Sequence, residues 1–176
     1  HRNGLRRSSA TGRVVQNLED SVRIEITLSK NRLQLGKLRL IDGVATLHEG
    51  PALGLADGLA AAKSGNPDRL PLKPYGDTPT GTYKGWWQPL PLTPENRSTY
   101  GDYPILTLQP VSGDALKTRG IRTGIAIHSG RLNPAYTQWA QLRPTHGCVR
   151  INPATHKALY EALGKLGSVE VNILEV

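Results

Sequence analysis

The chain has 176 residues, of which 38% are hydrophobic and 20% are charged, a balance typical of one soluble globular domain with a substantial core. No apolar run reaches the ~18 residues of a membrane-spanning helix, and the single cysteine excludes both an internal disulfide and a Cys-x-x-Cys metal site. The net charge of +8 favours polyanions such as nucleic acid, anionic lipid or acidic wall polymers, but the sequence has no RRM-type or zinc-finger motif, and we expect no nucleic-acid partner.

The first twenty residues form a polar, basic segment. The stretch HRNGLRRSSATGR contains four arginines and no acidic residue, which is typical of a solvated tail. We therefore predict a basic lead-in at residues 1–20 and a single domain at residues 21–176.

Alternating apolar and polar residues predict strands through most of the domain. In the stretch SVRIEITLSK, Val22, Ile24, Ile26 and Leu28 lie on one face. The same pattern predicts strands in the stretches NRLQLGKLRLID, GVATLHEG, PILTLQPV, TGIAIHSG and GSVEVNILEV.

Proline and glycine interrupt this pattern in two places. The stretches LADGLAAAKSGNPDRLPLKPYGDTPTGTY and WWQPLPLTPENRSTYGDYP are rich in residues that break regular elements. We predict two long ordered loops, which are often functional, with one or two helical turns at the alanines of the first. The paired Trp86 and Trp87 either line a substrate cleft or pack inside the domain.

One helix is predicted near the C-terminus. Asn152 is a good N-cap, Pro153 suits the first helical position, and apolar residues recur at helical spacing as far as Gly167. A shorter helix is predicted over residues 133–142. The sum of these elements is a mainly β domain, a β-sandwich with one or two helices.

Cys148 raises the question of chemistry, because a lone cysteine is either an inert buried side chain or a nucleophile. A nucleophilic thiol needs a base within roughly 2.6–3.2 Å to take its proton. His146 is separated from Cys148 by only one glycine, and contact within such a tight turn is awkward. His128 ends a predicted strand and can reach Cys148 from a neighbouring strand, so we favour His128 as the base.

The residues around Cys148 also suit acyl chemistry. Gly147 lets the backbone turn, and the N–H groups near Gly147 and Cys148 are predicted to bind an oxyanion. Arg143 and Arg150 flank the turn. They either favour a thiolate and bind a substrate carboxylate, or they are ordinary surface charges.

The pattern of these residues resembles the active-site motif of the L,D-transpeptidase catalytic domain (YkuD-like) family. His128 is followed by sixteen residues and then by the hexapeptide THGCVR, and the stretch YGDTPTGTY resembles a second feature of the family. The resemblance runs in order from about residue 22 to the C-terminus.

This resemblance implies a β-sandwich enzyme that acts on peptidoglycan stem peptides in the bacterial periplasm or cell envelope. It implies Cys148 as the nucleophile, His128 as the base, and the backbone carbonyl of Ser129 as the group that orients His128. Thr145, His146 and Gly147 would shape the site. No metal or organic cofactor is implied. From the sequence itself we expect no integral membrane segment in this chain, and we expect a monomer.

Three points stay open from the sequence. Tyr136 and Trp139, between the histidine and the cysteine, are either substrate walls or anchors of the short helix. The acyl group passes either to an amine, as in an L,D-transpeptidase, or to water, as in an L,D-carboxypeptidase or endopeptidase. The alternative from another class is an inactive wall-binding domain.

Overall fold

A computed structural model describes residues 21–176, and the predicted basic lead-in at residues 1–20 lies outside the described residues. Eight strands run through the described part of the chain: β1 (Val22–Leu28), β2 (Gly36–Asp42), β3 (Ala45–Leu53), β4 (Gly81–Gln88), β5 (Ile105–Ser112), β6 (Ala126–His128), β7 (Val149–Ile151) and β8 (Val169–Glu175). Four helices accompany them: α1 (Gly58–Lys63), α2 (Pro94–Tyr100), α3 (Asp114–Lys117) and α4 (Pro153–Leu163).

The strands form one closed sheet in the order β1-β2-β3-β7-β6-β5-β4-β8. Neighbouring strands are antiparallel except for the parallel pairs β1–β8 and β6–β7. The prediction of a mainly β fold is confirmed. The predicted sandwich of two sheets is replaced by a barrel, because β8 pairs with β4 on one side and with β1 on the other, which joins the two ends of the strand order.

The core lies inside this barrel, and β1 shows how the sequence builds it. Val22, Ile24, Ile26 and Leu28 are buried while the residues between them are partly exposed, as the alternation predicts. They pack with buried aliphatic residues of the other strands, including Leu38, Leu40, Leu106, Ile127, Val171 and Ile173. Full burial of each such side chain stabilises the fold by about 1.5–3 kcal/mol.

Strand β4 and helix α2 lie in the two stretches for which loops were predicted. In β4, Tyr83 is buried and Lys84 is exposed, so the strand alternates despite its glycines. Trp87 packs against the core and its Nε1 donates to the Leu163 carbonyl at 3.1 Å. Helix α2 begins after Thr93, whose side chain accepts a hydrogen bond from the Asn96 N–H.

The C-terminal helix is confirmed, and the shorter predicted helix is wrong. The side chain of Asn152 caps α4 by accepting from the Thr155 N–H at 2.8 Å, but α4 ends at Leu163 rather than near Gly167. Residues 133–142 contain only a 3₁₀ turn, Thr137–Trp139. The chain then enters the left-handed region at Ala140 and Gln141, with φ of 49° and 65°, which no right-handed helix can continue through. Among residues 21–176, no helix is long and apolar enough to cross a membrane.

Candidate active site

The parallel strands β6 and β7 bring His128 and Cys148 to the same side of the sheet. Ile127 pairs with Val149 and His128 pairs with Arg150, so Cys148, directly before β7, follows the same register. Because side chains alternate along strands, Cys148, Arg150 and His128 face one way. They line one cleft of about 380 Å³. This is the meeting across neighbouring strands that the sequence analysis anticipated.

His128 is held as a neutral imidazole with a defined tautomer. Its side chain is buried, and Nδ1 lies 2.9 Å from the carbonyl oxygen of Ser129. A carbonyl can only accept, so Nδ1 carries the proton and Nε2 is left with a lone pair. Burial, and to a smaller extent the charge of Arg150, lower the pKa of His128 to about 3. The ring of Tyr100 on α2 meets His128 edge-on at 5.0 Å.

The thiol of Cys148 is also neutral in this arrangement. Burial raises its pKa, while a backbone hydrogen bond at Ala126 and the charges of Arg150 and Arg122 lower it by less. Sγ lies 3.4 Å from the carbonyl oxygen of Gly124, where an S–H can donate. Both shifts favour a thiol and a neutral imidazole over an ion pair, a state in which His128 can act as a general base.

The turn that carries Cys148 is fixed by two threonine hydroxyls. The Thr78 hydroxyl lies 2.8 Å from the Gly147 carbonyl oxygen and 3.1 Å from that of Cys148. The Thr145 hydroxyl donates to the Cys148 carbonyl at 2.9 Å and accepts from the Gly147 N–H at 3.0 Å. Thr78 belongs to the stretch YGDTPTGTY, which resembles a second feature of the family but in which the sequence alone gave Thr78 no role.

These contacts decide which backbone N–H can meet an oxyanion. The N–H of Gly147 already donates to Thr145, so it is committed inside the turn. The carbonyl of Gly147 points to Thr78, and in a trans peptide the following N–H points the opposite way. The Cys148 N–H therefore faces away from Thr78 and is the better oxyanion donor of the two that were predicted.

Arg143 and Arg150 line the cleft, and both side chains donate to backbone carbonyls. Arg150 is buried, and it donates to Arg143 at 2.9 Å, to Thr99 at 2.7 Å and to the Ser129 oxygen that also holds His128. Arg143 donates to Arg131 at 2.6 Å and to Ser98. Both arginines thus fix helix α2 over the site. Of the two, only Arg150 is among the charges that lower the pKa of Cys148.

The remaining predicted site residues divide into two groups. Thr145 and His146 line the cleft, and the ring of His146 lies 5.2 Å from that of Tyr75. Tyr136 and Trp139 lie away from the cleft lining and contact one another at 5.4 Å. Trp139 packs on a small apolar cluster, and its Nε1 donates to the Leu33 carbonyl at 2.8 Å. These contacts suit a residue that anchors its own 3₁₀ turn to the domain rather than one that forms a substrate wall.

The paired tryptophans do not line the cleft either, and Tyr100 does. Trp86 is exposed on β4, whereas Trp87 packs on the core. Tyr100, which the sequence analysis passed over, faces His128 from α2. The pair Thr93-Pro94 is a helix start signal, and it could have placed Tyr100 at the end of a short helix.

Fold and site together define a class of protein: a closed β domain that displays a cysteine and a neutral histidine in one cleft. The chain belongs to the YkuD family, the L,D-transpeptidase catalytic domain, whose profile matches residues 23–171. The resemblance seen in the sequence is thereby confirmed. No curated protein sequence matches the chain.

The chain is similar to several solved structures at low sequence identity. Bd1075 of Bdellovibrio bacteriovorus superposes with a TM-score of 0.54 at 19% identity, over 89% of this chain and 49% of that one. The L,D-transpeptidase (residues 123–326) of Xylanimonas cellulosilytica gives a TM-score of 0.48 at 18% identity, over 98% of this chain and 64% of that one. L,D-transpeptidase 1 of Mycobacterium tuberculosis gives a TM-score of 0.39 at 13% identity, over 87% of this chain and 62% of that one. This chain spans about half the length of Bd1075.

Proposed function

We propose that this domain is a cysteine-dependent L,D-transpeptidase that acts on peptidoglycan stem peptides through a thioester. The observation that carries the proposal is the hydrogen bond from His128 Nδ1 to the Ser129 carbonyl. It leaves an unprotonated Nε2 in the cleft that also contains Cys148. A base that is neutral at physiological pH, in the same cleft as a protonated thiol, is the starting state for acyl transfer to sulfur.

The first half-reaction forms the thioester. The Sγ proton of Cys148 passes to Nε2 of His128 as sulfur attacks the carbonyl carbon of the L-to-D peptide bond in a donor stem. The Cys148 N–H donates to the oxygen that becomes negatively charged. When the tetrahedral intermediate collapses, the C–N bond breaks, His128 returns the proton to the departing amine of the terminal D-residue, and the acyl group stays on sulfur.

The second half-reaction regenerates the enzyme. An amine of another stem attacks the thioester carbonyl and gives its proton to His128. The C–S bond breaks, the new amide is released, and the thiolate takes the proton back from His128. The products are a cross-linked pair of stems, or a stem with an exchanged terminal D-residue, and a free Cys148 thiol.

Hydrolysis of the same thioester is the second candidate function. His146, Thr123 and Gly124 on the cleft lining are exposed, so water can reach the acyl carbon. If water replaces the amine, the products are shortened stems, and the enzyme is an L,D-carboxypeptidase. The two outcomes differ in how well the cleft holds an amine and excludes water.

Purified muropeptides distinguish these activities. Tetrapeptide stems are incubated with the wild type, Cys148→Ala and His128→Ala, and the products are separated and weighed by mass spectrometry. Dimers that need both Cys148 and His128 support the transpeptidase, and shortened monomers alone support the carboxypeptidase. Unchanged stems with well-folded wild type would reject both and favour an inactive wall-binding domain.

We also propose that the protein works in the bacterial periplasm or cell envelope, because its proposed substrate is there. Immunoblots of fractionated cells test this placement. Recovery of the protein in the cytoplasmic fraction alone would contradict it.

A further inference from the structure

Arg122 joins one of the two proline-rich loops, at residues 71–77, to the turn that carries Cys148. It lies in the segment just before β6, and the sequence analysis gave it no role. One guanidinium nitrogen, Nη1, donates to the carbonyls of Pro71 at 2.6 Å and Asp77 at 2.9 Å. The other, Nη2, donates to Gly76 at 3.0 Å and reaches the His146 carbonyl at 3.4 Å. One side chain thus contacts the proline-rich loop and the nucleophile turn together.

The guanidinium also packs directly against Gly147. A Cβ atom added to Gly147 would lie 1.9 Å from Nη2 of Arg122 and 2.7 Å from the Gly76 carbonyl oxygen. The φ of Gly147 is +118°, a conformation that other residues rarely adopt. Two independent features therefore require glycine at position 147: the positive φ of the backbone and the close approach of the Arg122 guanidinium.

The charge of Arg122 acts on the thiol. The guanidinium is largely surrounded by protein, which lowers its pKa, while Tyr83, Cys148 and Asp77 raise it. In turn the positive charge of Arg122 lowers the pKa of Cys148. Within residues 21–176, the hydrogen bonds of its guanidinium nitrogens go to four backbone carbonyls and none goes to a carboxylate, so no direct ion pair holds the charge of Arg122 away from a thiolate.

We propose that Arg122 is a positioning residue for Cys148, which clamps the His146–Cys148 turn against residues 71–77 and stabilises the thiolate that forms as the proton moves to His128. The role of Arg122 in turnover rests on the proposed function, whereas its effect on the thiol does not. The clamp and the charge are separable, because lysine keeps the charge and cannot reproduce the fork of four hydrogen bonds.

Alkylation of Cys148 by iodoacetamide tests the charge without any peptidoglycan substrate. Loss of a nearby positive charge in Arg122→Gln should raise the thiol pKa and so slow alkylation at pH 8 by about threefold to tenfold. Arg122→Lys should alkylate within about twofold of the wild type. The matched control is Arg119→Gln, an exposed arginine three residues upstream, which should alkylate at the wild-type rate.

Turnover of stem tetrapeptides tests the clamp. Arg122→Lys should lower kcat by about tenfold with little change in KM, since misplacement of the nucleophile affects the chemical step. If Arg122→Gln does not give a cooperative melting curve, the kcat of Arg122→Lys alone decides whether Arg122 positions Cys148. Wild-type kcat in that variant would overturn the clamp, and wild-type alkylation of folded Arg122→Gln would overturn the charge effect.

The two proposals fail in different ways. If the wild type turns over no stem peptide but alkylation depends on Arg122 as described, the proposed function is rejected and the effect of Arg122 on the thiol stands. If stems are cross-linked and neither Arg122 variant differs from Arg119→Gln, the proposed function stands and the role of Arg122 is rejected.

Discussion

The hydroxyl of Ser129 lies 2.7 Å from Nδ1 of His156, a buried histidine on α4. The other nitrogen of His156, Nε2, lies 2.8 Å from the carbonyl oxygen of Pro104 and must donate to it. Nδ1 is therefore an acceptor, and the Ser129 hydroxyl donates. Ser129 thus binds one histidine through its side chain and another, His128, through its carbonyl.

Ser129→Ala separates these two functions of Ser129. The substitution removes the hydroxyl but keeps the carbonyl that orients His128. Loss of a buried hydrogen bond that leaves His156 Nδ1 unpaired should lower the free energy of unfolding by about 1–3 kcal/mol, while turnover of stem peptides falls by less than about threefold. Urea unfolding and steady-state kinetics measure the two effects. A collapse of kcat with unchanged stability would mean that the hydroxyl itself takes part in the chemistry.

Thr78→Val removes the donor that faces the carbonyls of Gly147 and Cys148. Thr78 is fully buried, and valine has nearly the same shape without the hydroxyl. We expect kcat to fall by about tenfold because the Cys148 N–H is no longer held towards the cleft, and Thr78→Ser to retain most of the activity. Equal kcat for the valine and serine variants would contradict this role of the hydroxyl.

The rate of thiol alkylation should rise with pH well beyond neutrality. Burial raises the pKa of Cys148 and lowers that of His128 to about 3, so the thiolate is scarce at pH 7 and increases tenfold per pH unit. Stopped-flow alkylation of the wild type from pH 5 to 9 measures this dependence. A plateau that begins below pH 7 would instead reveal a resting thiolate–imidazolium pair.

A carbapenem should acylate Cys148, because its strained lactam carbonyl accepts the same thiol attack as the proposed peptide bond. Intact-mass spectrometry at neutral pH should show one adduct on the wild type. Cys148→Ala should show none, and His128→Ala should form the adduct at least about a hundredfold more slowly, within the range of a lost general base. An adduct on Cys148→Ala would place the reactive group elsewhere.

The sequence predicts the parts of the fold and site that depend on local patterns. Strand β1 alternates without interruption, and the strand ending at His128 could be aligned with the turn at Cys148. Helix α2 escaped prediction because it buries none of its residues and so has no apolar periodicity to detect. Arg122 could not be found from sequence, since its partners are backbone carbonyls 24 to 51 residues away, and carbonyls carry no sequence signature.

The stability of the protein should fall on the acid side of neutrality because of His128. The pKa of His128 is about 3 in the folded protein and about 6.5 in an unfolded chain. Between these values the unfolded chain binds one more proton, so the free energy of unfolding rises with pH by up to about 1.4 kcal/mol per unit. The stabilisation is complete above pH 6.5 and is lost as the pH falls towards 3.

The His128→Gln variant isolates this contribution. Asp77, whose pKa is raised by burial, acts in the opposite direction at low pH, but it is present in both proteins and cancels in the difference. Urea unfolding at pH 4.5, 5.5, 6.5 and 7.5 should give a steeper loss of stability for the wild type than for His128→Gln below pH 6.5. Parallel curves would show that His128 accepts a proton in the folded state as readily as in the unfolded chain, and the neutral resting base would have to be abandoned.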